Sequence, residues 1–235
     1  MANHSTSTRS GAVNSAFEQA FPRPDEEIRF ADRHDAGRRL AALLQRFVDE
    51  HPVVVGIARG GVPVAAEVAR ALDAPLDVMV VRKIGAPQNP EYGIGAVAEG
   101  GVSVVSDEAL ALGRTELNTL VSRAKAEVTD RLGRYRGDRP VLSVQARTVL
   151  LVDDGLATGR TAQAAARALR ERGAARVILA VPVAAAPSVE ELRSVVDEVV
   201  CVEIPSDLLA VGYWYEDFLP TSDDEVAALL AGANA

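Results

Sequence analysis

The sequence predicts an α/β fold, a mostly parallel sheet with helices on both faces. Short apolar runs at Val53 to Ile57, Leu76 to Val81, Val149 to Val152, Val177 to Val181 and Val199 to Ile204 suit strands buried on both sides. Helical patterns lie between them, and strands alternating with helices in this order assemble in parallel. With 235 residues, 48% of them hydrophobic, there is material for one core and not obviously for two.

The elements follow in order. Residues 1–24 are rich in Ser, Thr, Ala and Asn, close on Pro22 and Pro24 and show no sustained periodicity, so they read as a flexible N-terminal arm. Residues 25–235 read as one domain. From Asp35, the positions Ala36, Leu40, Leu43, Leu44 and Phe47 share a helical face that Pro52 ends. A strand at Val53 to Ile57, a helix at Val62 to Leu72 and a strand at Leu76 to Val81 come next. Ile84 to Gly95 holds too many Gly and Pro residues for a regular element and is expected to be a loop. A strand at Val102 to Val105 precedes a long helix whose buried face is Leu117, Leu120, Val121, Ala124, Val128 and Leu132, ending near Gly137. Strand Val149 to Val152, helix Ala162 to Arg172, strand Val177 to Val181, helix Ser188 to Val195 and strand Val199 to Ile204 complete the alternation.

Composition excludes several function classes. The formal charge of -8, with no Lys/Arg stripe among aromatics, argues against a nucleic-acid surface. His4, His34 and His51 lack any zinc-ligand spacing. Cys201, the only cysteine, lies in an apolar run and is expected in the core and not as a nucleophile. No apolar run approaches a membrane span and no signal-peptide core opens the chain, so a cytoplasmic protein is expected.

Thr148 to Thr161, TVLLVDDGLATGRT, carries the most chemistry. A buried strand delivers Asp153 and Asp154 to its end, and a turn of small residues then opens a helix. Thr158, Gly159, Arg160 and Thr161 can offer backbone N–H groups, two hydroxyls and the positive end of a helix to one anion. The two acids cannot ligate phosphate, but they can accept hydrogen bonds from vicinal hydroxyls or hold Mg²⁺. The nucleotide loop G-x-x-x-x-G-K-[ST] does not fit, because Gly155 to Thr161 is one residue short and has Arg160 in the lysine's place. An ordinary acidic strand-turn-helix would explain the glycines but not the acids, threonines and arginine together.

This stretch resembles the phosphoribosyl-diphosphate (PRPP) binding signature of type I phosphoribosyltransferases. The resemblance implies that fold, with a core at about 50–205 and a small hood at about 205–225. It implies that Asp153 and Asp154 hold the ribose hydroxyls, directly or through Mg²⁺, and that Ala157, Thr158, Gly159, Arg160 and Thr161 bind the 5′-phosphate side of the substrate.

Arg59, Gly60 and Gly61, after the first strand, resemble the family's pyrophosphate loop, although many strand-to-helix turns use Gly-Gly. That loop often contains a non-proline cis peptide, expected here at Arg59-Gly60. Arg82 and Lys83 end the second strand, either merely solvated or, as the family has a basic residue there, touching pyrophosphate; Lys83 is the first choice. The loop after them is either a lid closing over the reacting centre or an irregular surface loop. Gly93 to Ala98 also fits G-x-G-x-x-A, but a strand before it and a helix after it are lacking. Glu91 and Glu99 are candidates for proton handling that nothing ranks.

Ile204 to Phe218 concentrates the aromatics and is a satellite core, an oligomer contact or the wall of an acceptor pocket, with Trp214 and Phe218 as core. It resembles the hood of hypoxanthine-guanine phosphoribosyltransferases. It departs from them where Leu208 or Leu209 replaces a stacking aromatic, where Val183 to Ala186 lacks a lysine, and where Ala157 replaces a carboxylate. A 6-oxopurine acceptor is therefore disfavoured.

The resemblance implies a Mg²⁺-dependent transfer of the phosphoribosyl group from PRPP to a nitrogenous acceptor, by an oligomer, a dimer by expectation. Two rivals stay open: a regulatory protein that senses PRPP or a nucleotide on the same fold, and a hydrolase with water as acceptor.

Overall fold

A computed structural model describes residues 29–233, except for the side chains of Pro90 and Glu91. The arm expected at 1–24 lies outside the described residues.

Seven strands form one sheet: β1 (Val53–Ala58), β2 (Leu76–Ala86), β3 (Asn89–Ala98), β4 (Ser103–Val105), β5 (Thr148–Val152), β6 (Arg176–Val183) and β7 (Glu198–Glu203), in the spatial order β4-β3-β2-β1-β5-β6-β7. Strands β2, β1, β5, β6 and β7 are parallel, while β3 and β4 add antiparallel to the β2 edge. The helices are α1 (Arg33–Leu44), α2 (Gly61–Leu72), α3 (Asp107–Leu110), α4 (Arg114–Arg136), α5 (Arg160–Glu171), α6 (Ala186–Leu192) and α7 (Asp223–Gly232).

Alternate strand residues feed two separate cores, which is why the parallel strands read as continuous apolar runs. Val54, Val78, Val80, Leu150, Val152 and Ile178 pack with α1, α2, α4 and α7. Val53, Val55, Ile57, Met79, Leu151 and Leu179 pack with α5 and α6 on the other face. Each such side chain contributes about 1.5–3 kcal/mol by leaving water.

Asp77 interrupts the β2 run for a structural reason. Arg136, only 8% exposed at the end of α4, reaches Asp77 Oδ1 at 2.9 Å, Glu99 Oε1 at 2.5 Å and the Val78 carbonyl at 2.7 Å. Glu99 is thereby committed to a buried ion network, which corrects its candidacy for proton handling; Glu91 lies outside the described side chains.

The expected loop at Ile84 to Gly95 is instead a hairpin, since β2 runs on to Ala86 and β3 pairs back from Asn89 with register shifts at Ile84/Gly85 and Gly85/Ala86. Its glycines mark close approach. A Cβ on Gly93 would meet Lys83 Cδ at 2.8 Å, and one on Gly95 would meet the Val104 carbonyl at 2.7 Å. Trp214 is buried as expected, while Phe218 and Cys201 are only half-buried. The Cys201 thiol donates to the Glu203 carbonyl at 2.9 Å, and burial pushes its pKa up to about 12, which fits an unreactive thiol.

Candidate functional site

The site lies beyond the carboxyl ends of β1 and β5, two neighbouring parallel strands in which Gly56 stands opposite Val152. The chain leaving β1 passes through Arg59, Gly60 and Gly61 into α2; the chain leaving β5 passes through Asp153 and Asp154. These two turns are in contact. A Cβ on Gly61 would lie 2.6 Å from the Val152 carbonyl and 2.8 Å from Asp153 Cα. Only glycine lets the first turn lie flat against the second. A cis peptide does occur here, but at Ala58-Arg59, one bond earlier than expected.

The acids sit in unequal surroundings. Asp154 is paired with Arg33, whose Nε donates to Oδ2 at 2.8 Å, the side chains being 17% and 11% exposed. Asp153 has no cation partner among the described residues; its Oδ1 accepts the Asp154 backbone N–H at 2.9 Å. Burial, reinforced by the Asp154 charge, pushes the Asp153 carboxyl well above the usual carboxylate range. Burial also raises Asp154, with Arg33 opposing the shift. A pair of hard oxygen donors, one without a cation, suits Mg²⁺, which binds through one or two carboxylates plus substrate oxygens.

Arg33 and Phe30 join the hood expected at about 205–225, and the part these two residues play in it was not visible in the sequence. Phe30 forms a parallel bridge with Tyr215, its N–H donating to the Trp214 carbonyl at 2.8 Å, and its carbonyl accepting from Glu216 at 2.9 Å. The Tyr215 hydroxyl donates to the Asp154 carbonyl at 2.6 Å. Above the same acid, the Arg33 guanidinium lies 4.0 Å from the Phe218 ring centre, and its Nη1 donates to the Leu219 carbonyl at 2.8 Å. Leu208 packs into this hood and Leu209 is exposed.

The turn after the acids is pinned at Leu156, whose N–H donates to the Val183 carbonyl at 2.8 Å, and at Ala157, whose carbonyl accepts from the Ser188 hydroxyl at 2.5 Å. Ala157 and Thr158 are exposed, and Gly159 takes a φ of 70° as the chain enters α5 at Arg160. No side chain caps the first turn of α5, so its leading amides have no partner within the helix. Neither Thr158 nor Thr161 spends its hydroxyl on another described residue. The Arg160 side chain turns to the hairpin and donates to the Gly93 carbonyl. Thr158, Gly159, Arg160 and Gln163 line one side of a cavity of about 170 Å³ closed by Gly95, Ser106 and Leu192.

Arg82 and Lys83, expected to end the second strand, lie within β2, opposite Val97 and Ala96 of β3, and they diverge, as neighbours on a strand must. Arg82 points to the α4 face and pairs with Glu127 at 2.5 Å. Lys83 points to the other face, beside Gly93, whose carbonyl accepts from Arg160. The exposed Arg59 guanidinium reaches away from the acids to Asp223 Oδ1 at 3.6 Å, an oxygen that also accepts the Tyr135 hydroxyl at 2.6 Å. The structure thus brings Gly60, Gly61, Asp153 and Asp154 into one cluster, sets Lys83 and the 157–161 turn along one flank, and turns Arg59 and Arg82 outward. Sequence reasoning missed Arg33 and Asp223, each joined to the site across a long stretch of chain, and named Tyr215 only as part of the aromatic stretch Ile204 to Phe218.

Among the described residues no group of three or more His, Cys, Asp or Glu side chains could hold a metal alone, and no helix is long and apolar enough to cross a membrane.

Comparison with known proteins agrees with this architecture. The phosphoribosyl transferase domain matches residues 30–217. A protein of Mycobacterium tuberculosis, named "Putative phosphoribosyl transferase" in strains CDC 1551 and H37Rv, is 44% identical over 208 residues, which are 87% of this chain and 47% of that protein. The chain therefore spans about half the length of the curated relatives it matches. The crystal structure of TT1426 from Thermus thermophilus is 44% identical, with a TM-score of 0.76 over 88% of this chain and 100% of that one. On the domain match and the relatives, the chain belongs to the phosphoribosyl transferase family, and its mostly parallel sheet with flanking helices is the architecture expected from the sequence.

Proposed function

We propose that the protein transfers the 5-phosphoribosyl group from PRPP to a nitrogenous acceptor and releases pyrophosphate. The observation that carries this reading is the contact between Gly60-Gly61 and Asp154-Asp153. It sets bare peptide groups, suited to a pyrophosphate, directly beside carboxylates suited to ribose hydroxyls. The exposed turn Thr158 to Thr161 offers amides and two hydroxyls to the 5′-phosphate at the start of α5.

In this reading Gly60 and Gly61 bind pyrophosphate through their backbone, and Lys83 neutralises charge as it departs. Arg59 and Arg82 join after leaving Asp223 and Glu127, exposed ion pairs of small worth. Asp153 and Asp154 orient the ribose and would hold Mg²⁺, which when bound offsets the charge of the leaving group. The bond from ribose C1 to pyrophosphate breaks and one to the acceptor nitrogen forms, while the acids stabilise the positive charge that develops between. We further place the protein in the cytoplasm as a homodimer.

Calorimetry with PRPP, with and without Mg²⁺, tests this. Mg²⁺-dependent binding that is lost in Asp153→Asn/Asp154→Asn supports the donor site, and release of pyrophosphate with a nitrogenous acceptor then separates a transferase from a sensor. Wild-type protein that binds no PRPP would overturn the reading.

A further inference from the structure

We propose that Arg33 is a resident counter-ion of Asp154 that must leave before a divalent cation can use that carboxylate, so that seating of the hood and metal occupancy of Asp154 exclude one another. This rests on the reading that the acid pair holds Mg²⁺. Arg33 is permanently charged, and its Nε occupies Asp154 Oδ2 at 2.8 Å. A metal ion brought to the same oxygen would meet that guanidinium at contact distance. Asp153, which forms no ion pair with a described residue and feels the Arg33 charge only from further off, is the open half of the pair.

The guanidinium is also a structural part of the hood. It bonds the Leu219 carbonyl at 2.8 Å and lies 4.0 Å from the Phe218 ring centre, and Tyr215 holds the backbone of the same acid at 2.6 Å. Arg33 therefore cannot leave Asp154 without loosening the Leu219 and Phe218 contacts. The acid pair takes a metal at Asp153 first, and full engagement of Asp154 releases the 211–219 segment. Arg33 is a positioning residue in this scheme, since it acts through Asp154.

Binding of Mn²⁺ alone to the full chain, followed by electron paramagnetic resonance, tests the proposal without PRPP or turnover. Arg33→Met should bind Mn²⁺ at least about tenfold more tightly than wild type, because two neighbouring carboxylates are then uncompensated. Arg33→Lys should stay near wild type, and adding Asp154→Asn to Arg33→Met should return affinity to the weak level. A folded Arg33→Met protein that binds Mn²⁺ no more tightly overturns the proposal. The unaltered protein provides a second test: amide exchange at 213–219 should accelerate when Mn²⁺ saturates the site, and unchanged protection overturns the coupling. The two readings fail separately. Absent PRPP binding with tighter Mn²⁺ in Arg33→Met removes the transferase and keeps the counter-ion; normal PRPP binding with unmoved Mn²⁺ affinity does the reverse.

Discussion

A Cβ added to Gly60 would stand 1.9 Å from Asp154 Oδ2. The loop after β1 and the acid after β5 therefore meet as backbone against carboxylate, with room for no side chain. In Gly60→Ala either the loop must lift or Asp154 must leave Arg33. Donor affinity should fall at least about tenfold, or 1.4 kcal/mol, with a lower melting temperature. Calorimetry and thermal melts check this, and unchanged values in both would show that the contact is not tight.

Asp153→Asn should stabilise the protein while removing Mg²⁺-dependent donor binding. Burial, then the Asp154 charge, raises this carboxyl, so it favours folding fully only below its unfolded value near 3.9, and that advantage is lost as pH rises through the folded value. At neutral pH the folded state carries a disfavoured charge that asparagine lacks. Melting at pH 7.5 should rise by about 2–4 °C for each kcal/mol relieved, and the gain should vanish toward about pH 3.5. A melting temperature no higher than wild type at neutral pH would count against a desolvated Asp153.

Tyr135→Phe removes a hydroxyl that donates at 2.6 Å to Asp223 from a ring 1% exposed. The loss should be about 1–2 kcal/mol at neutral pH in urea unfolding. That hydrogen bond is the main cause of the lowered Asp223 pKa, so its contribution is present above about pH 4 and is lost as pH falls through the folded value. Burial pushes the Tyr135 phenol up to about 12, so at high pH its contribution is full only below its unfolded value near 10 and is lost as pH rises from there through about 12. A difference between the two proteins that is the same at pH 3 and pH 7 would contradict the pairing.

Arg136→Leu removes the guanidinium from Asp77, Glu99 and the Val78 carbonyl in a buried setting and leaves Glu99 only the longer 3.6 Å pair with Arg172. Breaking one side of such a network should cost about 3–5 kcal/mol. Urea midpoints measure it, and a loss under about 1 kcal/mol would show that water replaces the guanidinium. Asp77 lies at the start of β2, away from the strand ends that carry the acids, so PRPP affinity of the folded fraction should be unchanged.

The parallel strands and the 148–161 stretch were legible because their causes are local. A strand buried on both faces must be apolar throughout, and an anion-binding turn must place small residues at a helix start. The β2–β3 hairpin was not legible, because its glycines answer to Lys83 and to the Val104 carbonyl and not to a turn at their own positions. Strand propensity cannot register such packing. Arg33 and Asp154 are 121 residues apart, and nothing near either names the other. The cis bond was expected in the right turn and one residue late, since the Arg59-Gly60-Gly61 pattern marks the turn without fixing which peptide inverts.

Arg33 meets Leu219 across 186 residues, and Phe30 meets Tyr215 by a bridge. During synthesis Arg33 and Asp154 both emerge before Leu219, so the sheet can close with their ion pair formed while the guanidinium still lacks its Phe218 and Leu219 contacts. The hood would be the last part of the molecule to mature, and a chain halted before residue 211 would hold its core and its Arg33–Asp154 pair yet leave that pair open to water.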